Sequence, residues 1–494
     1  MKRFLSLLLA VVMAVGILTI APVQITVSAA GTDGLKFSYY KATDSYYVSG
    51  CADTVSGEVV IPAKHNNKPV TFIASYVFEN KNNITSVVIP DTVTSINGSA
   101  FRNNTGITSV TIPDSVKTMA YEAFYGCTNL KTVNIPKSIK VLEGRVFSCC
   151  SSLESIEIPN GVTEIKDNAF SYCSGLKKLV IPDSVKRIER AFDGCTGLEE
   201  IILPDSLGYL DGGNFWNSEY AKNEENWDDY GLYAGNILLQ SKPASEIPDT
   251  ETIIIKDGTT LIATGSFYGY NKAKTIIFPE SLQHIGRESF SNCSSLTELN
   301  FPNSLKSIGE YSFQDCDTLE SVTIPGSVKK IERYIFWFCD NLKSVTILEG
   351  TESIVSGAFD SCENLYEVSF PDSLTDISGS LFGYSKVYEN EKYWDGDVFY
   401  IGNHLIFGKN TLSGVYAMRD GTVSIAKWAF ANADNLVGFI MPKSVKVIDD
   451  MAFSVVENFY MIIYDGSRTD FDNIQILGSR KVKLKNITLT CAAD

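Results

Sequence analysis

The chain has little of what most enzymes use. Its three histidines, His65, His284 and His404, are scattered through 494 residues, each reading as an ordinary turn or strand residue. There is no GxSxG elbow, no HExxH, no phosphate-cradling glycine loop and no CxxC. The common nucleophilic, zinc and nucleotide constellations are therefore excluded, and no catalytic residue, metal ligand or cofactor is assigned. Basic charge is also short, with 42 Lys and Arg against 58 Asp and Glu and a formal net charge of -16. That balance argues against nucleic acid and anionic membranes as partners. No stretch fits the DxDxDG spacing of a calcium loop. Asp91, Asp114, Asp183, Asp205 and Asp372, each directly after a proline, are read as turn caps in preference to a row of calcium ligands.

Long apolar runs are scarce too. One spans Phe4 to Ile20, with Lys2 and Arg3 before it and Val27-Ser28-Ala29-Ala30 after it, the three-part pattern of a secretory leader over residues 1–30. No second run suggests a membrane span once the leader is removed. Cys51 lies too far on for a lipid-modified terminus, and Thr490-Cys491-Ala492-Ala493-Asp494 offers no apolar tail, so no anchor is expected. The protein is expected outside the cell or at its surface.

What the chain has in quantity is repetition. Leu296 to Thr318, LTELNFPNSLKSIGEYSFQDCDT, carries a 23-residue pattern that recurs from about Ile61 to Phe453. Leu299 and Phe301 alternate with Glu298 and Asn300, the period of a strand with one buried face, and Pro302 ends it. Leu305 and Ile308 follow as spaced anchors, Phe313 as the large plug, and Cys316 three residues later. The Phe slot is filled fifteen times between Phe78 and Phe453, with two long steps, of 52 residues to Phe267 and 48 to Phe430. Stacked units of this kind share one core, so the expectation is a solenoid of about fifteen turns. Each turn would give one strand to a single parallel sheet about 70 Å long.

The long steps hide insertions. Asp229-Tyr-Gly-Leu-Tyr-Ala-Gly235-Asn236-Ile-Leu-Leu239 reads as a hairpin turning at Gly-Asn. Trp394, Tyr400 and Gly402-Asn403 repeat Trp227, Tyr233 and Gly235-Asn236 at a distance of 167 residues. The chain then divides into a leader (1–30), an N-terminal cap (31–60), a first repeat block (61–216), a hairpin insertion (217–252) and a second block (253–382). A second insertion (383–412), the last turns (413–453) and a C-terminal cap (454–494) complete it.

These units resemble the BspA-like, or treponemal-type, leucine-rich repeats, whose pattern runs roughly LxxLxIPxxLxxIgxxAFxxCxxL. Leu153, Ile158-Pro159, Ala169-Phe170 and Cys173 keep its spacing, and the match covers nearly the whole chain after the leader. The resemblance implies an α/β horseshoe-type solenoid. It also implies export or surface display by a bacterium and binding of host or neighbouring-cell macromolecules.

Cys127, Cys150, Cys173 and Cys195, then Cys293, Cys316, Cys339 and Cys362, hold the slot three after Phe in successive turns. Stacking keeps their Cβ vectors parallel, which suits a disulfide badly, so buried free thiols are expected. Outward strand positions are mostly hydroxyl or acidic, as at Ser109 and Thr111 or Ser321 and Thr323. Val180, Ile202, Ile254 and Ile277 interrupt this with an apolar column around the first insertion, where exposure would be costly. Two readings of the hairpin stand. It folds back over that column, with Trp227, Tyr230 and Tyr233 completing a binding site that Trp394 and Tyr400 echo beside Ala417 and Ile440, or it merely caps its own turn and the column stays open or is buried by the insertion alone. The function read from all this is an extracellular interaction protein for a protein or glycan ligand. A structural spacer is the alternative, and a cryptic enzyme a distant third.

Overall fold

The computed structural model describes residues 31–248, 251–431, 433–453, 456, 458–478 and 488–492. The leader expected over residues 1–30 lies outside them. Alternation with a terminal proline gives the expected strands, as at Ser321–Ile324, Ser344–Ile347 and Glu367–Ser369, which pair in parallel with Val322, Val345 and Val368 in register. After the proline the chain bends and forms a second strand, which corrects the single-sheet expectation. Lys330–Ile331, Ser353–Ile354 and Asp376–Ile377 pair in parallel through Ile331, Ile354 and Ile377. The second apolar anchor of each unit is therefore a strand residue, and the solenoid has two parallel ladders.

The remaining side of each turn is not helical. Among the described residues the α-helices are short, Glu219–Lys222 and Arg468–Asp472. Around the buried Phe, the residues two before and two after adopt left-handed backbone: Glu288 and Asn292 about Phe290, Tyr311 and Asp315 about Phe313, Tyr334 and Phe338 about Phe336. Two such residues four apart break any α-helix. They also aim peptide groups along the stack, so the Phe290 N–H donates to the Ser312 carbonyl at 2.8 Å and the Phe313 N–H to the Ile335 carbonyl at 2.9 Å. This side is a row of turns stitched to one another, and the α/β character implied by the resemblance gives way to a mostly strand structure.

The turns number about nineteen rather than fifteen. Four extra rungs of the second ladder lack a Phe unit: Ser45–Cys51 in the N-terminal hairpin, Ile237–Ser241 and His404–Gly408 in the insertions, and Gln475–Leu477 near the end. Ser45–Cys51 carries the antiparallel strand Leu35–Tyr40 on its outer side, covering the open end of the ladder. Phe37 stacks on His65 there, with ring centroids 4.3 Å apart.

The Phe plugs form stacks. Phe78 through Phe215 follow one another at 4.9 to 5.9 Å between ring centroids, and Phe267 through Phe382 at 5.3 to 6.0 Å. Beside them, each column cysteine is buried and free. Its thiol donates to the Phe carbonyl of the turn before, as from Cys127 to Phe101 at 3.2 Å and from Cys339 to Phe313 at 3.1 Å. Burial pushes the Cys127, Cys195 and Cys293 thiols up to about 12. A thiol reagent should therefore leave the eight column cysteines untouched in native protein and label them after denaturation. A Cys127–Cys150 or Cys316–Cys339 disulfide found by mass spectrometry of native protein would contradict this arrangement.

Both Phe stacks end at an insertion. All residues of Gly231–Ala234 and Val398–Ile401 are buried. Leu232, Ala234, Ile237 and Leu239 pack into the first core, while Tyr233 and Leu238 pack into the second. Phe399, Ile401 and Ile406 likewise join the second core, and Val398, Tyr400 and Leu405 the third. Each hairpin thus crosses the column as a bulkhead between two cores. Since the hairpins lack the turn segment, the stitched row of turns skips one rung at each.

Candidate functional site

The apolar column on the first ladder is open. Val180, Ile202, Ile254 and Ile277 are 43, 45, 51 and 50% exposed. Val180 pairs in register with Ile202, and Ile254 with Ile277, while the strands of Ile202 and Ile254 belong to separate sheets on either side of the first insertion. The hairpin does not lie over them. Ile440 is likewise 42% exposed and in register with Ala417.

Of the aromatic residues expected to complete a site with this column, Tyr233 and Tyr400 are placed inside the bulkheads, and Trp227, Tyr230 and Trp394 lie half-buried at them. Tyr233 and Tyr400 are 5 and 1% exposed. Trp227 donates from Nε1 to the Ala221 carbonyl at 2.7 Å, Trp394 likewise to Tyr388 at 2.9 Å, and the Tyr230 hydroxyl donates to the Thr252 carbonyl at 3.3 Å. Burial raises the Tyr233 and Tyr400 hydroxyls above their ordinary range. Tyr233 and Tyr400 are enclosed, while Trp227, Tyr230 and Trp394 are half-buried and fastened to the hairpins by these hydrogen bonds. The sequence carries a signal of this, for Leu-Tyr-Ala and Ile-Leu-Leu are unbroken apolar runs, the mark of strands buried on both faces. Asn236 and Asn403 tie the hairpin tips back to the acidic slot, donating to Asp205 at 3.1 Å and Asp372 at 2.9 Å, which leaves those two Asp as anchors.

Around the column the surface is polar and locally neutral. Lys178 meets Glu200 at 2.7 Å beside Val180 and Ile202, and Lys274 meets Glu251 at 2.5 Å beside Ile254 and Ile277. An apolar centre within a polar rim is the anatomy of a protein interface. His284 accepts or donates one hydrogen bond with Ser307 at 2.8 Å, and burial lowers it to about 4; His404 is fully buried between Ser424 and the Pro371 carbonyl. Both are ladder residues. Among the described residues no cluster of His, Cys, Asp or Glu is arranged to hold a metal ion, and no helix is long and apolar enough to cross a membrane.

Comparison with known proteins gives the repeat a family. The profile described as BspA type leucine rich repeat region (6 copies) matches residues 71–191, 189–225, 260–389 and 390–491. The chain belongs to the BspA-type leucine-rich repeat family. Among solved structures, this BspA-type chain is similar to a leucine rich cell surface protein of Faecalibacterium prausnitzii A2-165, at 22% identity over 92% of this chain and 99% of that one, with a TM-score of 0.34. It is also similar to a leucine-rich repeat protein of Bacteroides ovatus ATCC 8483, at 21% identity over 88% and 98% of the two chains, with a TM-score of 0.34. The pneumococcal vaccine antigen PcpA is similar at 19% identity over 83% and 98%, with a TM-score of 0.30. In the comparison with curated proteins nothing matches. The family is defined by its repeat.

Proposed function

We propose that this chain is an exported bacterial interaction protein, displayed at or released from the cell surface, that binds a protein ligand through its first-ladder face around the first insertion. The observation that carries the reading is the open column of Val180, Ile202, Ile254 and Ile277, each 43% exposed or more and set among hydroxyls and neutralised charges on the strands beside the first insertion. Exposed apolar residues gathered within a polar rim are retained against their cost in solubility, and a partner that covers them removes that cost. Two short in-register pairs, flanking a bulkhead that holds them at fixed spacing, suit a folded partner surface.

The test is capture of ligand from surface extracts and from a panel of matrix proteins by the immobilised chain, compared with an Ile202→Ser/Ile254→Ser variant. Both positions are half exposed, so folding should stay within about 0.5 kcal/mol of wild type at each. Binding should weaken at least about tenfold, equivalent to about 1.4 kcal/mol. Undiminished capture by the double variant would remove the column from the interface.

A further inference from the structure

The stitched row of turns skips a rung at each bulkhead, and the two places differ. Their backbones are alike. The Thr264 N–H donates to the Leu210 carbonyl at 3.0 Å and the Lys427 N–H to Ile377 at 2.9 Å; a Cβ on Gly212 would fall 2.1 Å from the Thr264 oxygen, and one on Gly379 2.0 Å from that of Lys427. Alignment of the hairpins 167 residues apart sets Gln240 opposite Phe407 and Trp216 opposite Gly383, and alignment on the next Phe sets Gly265 opposite Trp428 and Tyr268 opposite Ala431. At the second bulkhead Phe407 packs against Trp394 and Tyr388, with ring centroids 5.4 and 5.5 Å apart. At the first bulkhead the same position is polar, and a cleft of about 690 Å³ opens there.

The lining of this cleft is not that of a packing defect. Gln240, in the bulkhead strand, is 8% exposed and faces the cleft. Its side-chain amide reaches the opening and is not sealed from water. An amide held at a cleft wall presents a donor and an acceptor side by side to whatever enters. Trp216 and Tyr268, each one residue past a Phe plug on either side of the bulkhead, line the cleft at 53 and 60% exposure. The skipped rung leaves main-chain groups over as well. Among the described residues no backbone partner takes the Gly213 N–H or reaches the Tyr268 carbonyl, the groups by which other turns stitch to their neighbours. Asp167, Asp211, Arg190 and Lys242 all line the opening, two acidic and two basic, with Arg190 also paired to Asp193 at 3.1 Å.

From this we infer that the cleft at the first bulkhead is a binding site for a short, uncharged oligosaccharide. A pyranose has an apolar face of C–H groups and an edge of hydroxyls. Exposed Trp and Tyr suit the face; a paired donor and acceptor in one amide, leftover main-chain N–H and C=O, and carboxylates suit the edge. The volume lies within the range of small-ligand sites, roughly 300 to 1,000 Å³. The strongly acidic chain disfavours a polyanionic glycan, and balanced lining charge gives a cation no hold. This site lies on the turn row, apart from the first-ladder column, so either can fail without the other.

The probes are maltotetraose, cellotetraose, mannotetraose and chitotetraose, each titrated into the chain with tryptophan fluorescence and calorimetry as readouts. At least one should saturate in the micromolar to millimolar range and perturb Trp216. Gln240→Phe, which copies the second bulkhead, should abolish that binding while circular dichroism and melting temperature are held or raised. Trp216→Ala should weaken it at least tenfold and remove the fluorescence change. Equal binding by Gln240→Phe overturns the proposal. So does saturation by none of the four, or tighter binding of a sialylated or sulfated probe than of any neutral one.

Discussion

Phe313→Ala should destabilise the protein by about 3 to 5 kcal/mol, through lost burial and the cavity it leaves. Phe313 is fully buried and stacked between Phe290 at 5.4 Å and Phe336 at 5.6 Å, in the interior of the second Phe stack. Its neighbours cannot close over the space, because the main chain of all three turns is tied together. The Phe313 N–H is bound to Ile335 and the Phe290 N–H to Ser312, so collapse would break hydrogen bonds along with filling the hole. The measurement is urea unfolding followed by circular dichroism. A midpoint equal to that of wild type would show that Phe is not the central plug of the turn.

Leu238→Asp should have an effect as large and of a different kind. Leu238 is fully buried in the bulkhead strand and packs into the second core, whereas Ile237 and Leu239 pack into the first. A carboxylate there has no partner, and burying it costs several kcal/mol unless the strand moves or the group stays protonated. Because the bulkhead is the wall between two cores, its failure should decouple them. Calorimetry should show one main transition for wild type and two for the variant, the lower one belonging to the turns beside the first insertion. A variant that melts as wild type does would mean that the hairpin is not a shared wall.

Much of the solenoid is legible in the amino-acid pattern alone. Pro302 marks the end of a strand, Leu299 and Phe301 mark its inward face, and the regular return of Phe and Cys marks the stacking, since each is a local rule satisfied again in every turn. The second ladder is half legible. Leu305 and Ile308 stand out as anchors, but two residues are too few to show a strand's alternation. The turn row is only faintly legible. Some of its left-handed positions hold Asn80, Asn103, Asn292, Gly126 or Gly194, which favour such backbone, but others hold Glu288, Tyr311, Arg145 and Tyr334, which avoid it at roughly 1 to 2 kcal/mol each. Hydrogen bonds to the next turn hold them there, and those bonds link residues some 23 apart in sequence. The outward direction of Val180, Ile202, Ile254 and Ile277 follows from strand alternation, which needs only neighbouring residues. The place of Tyr233 does not follow from its being aromatic, because the unbroken apolar run around it decides burial on both faces. The cleft joins Asp167, Gln240 and Tyr268, which no spacing rule connects.

The bulkheads also bear on how such a chain changes length. Each is a finished wall with a different face toward each neighbouring core, so the turns between two walls form a compartment whose interior surfaces are all alike. Gain or loss of one 23-residue unit inside a compartment replaces like with like and leaves both walls as they were. It shifts one wall relative to the other by about 4.8 Å, the spacing of adjacent rungs. A chain built this way is therefore a ruler with whole-unit graduations. Adding or removing units would change the distance from the cleft at the first wall to the second wall in steps and leave the chemistry at each wall as it was.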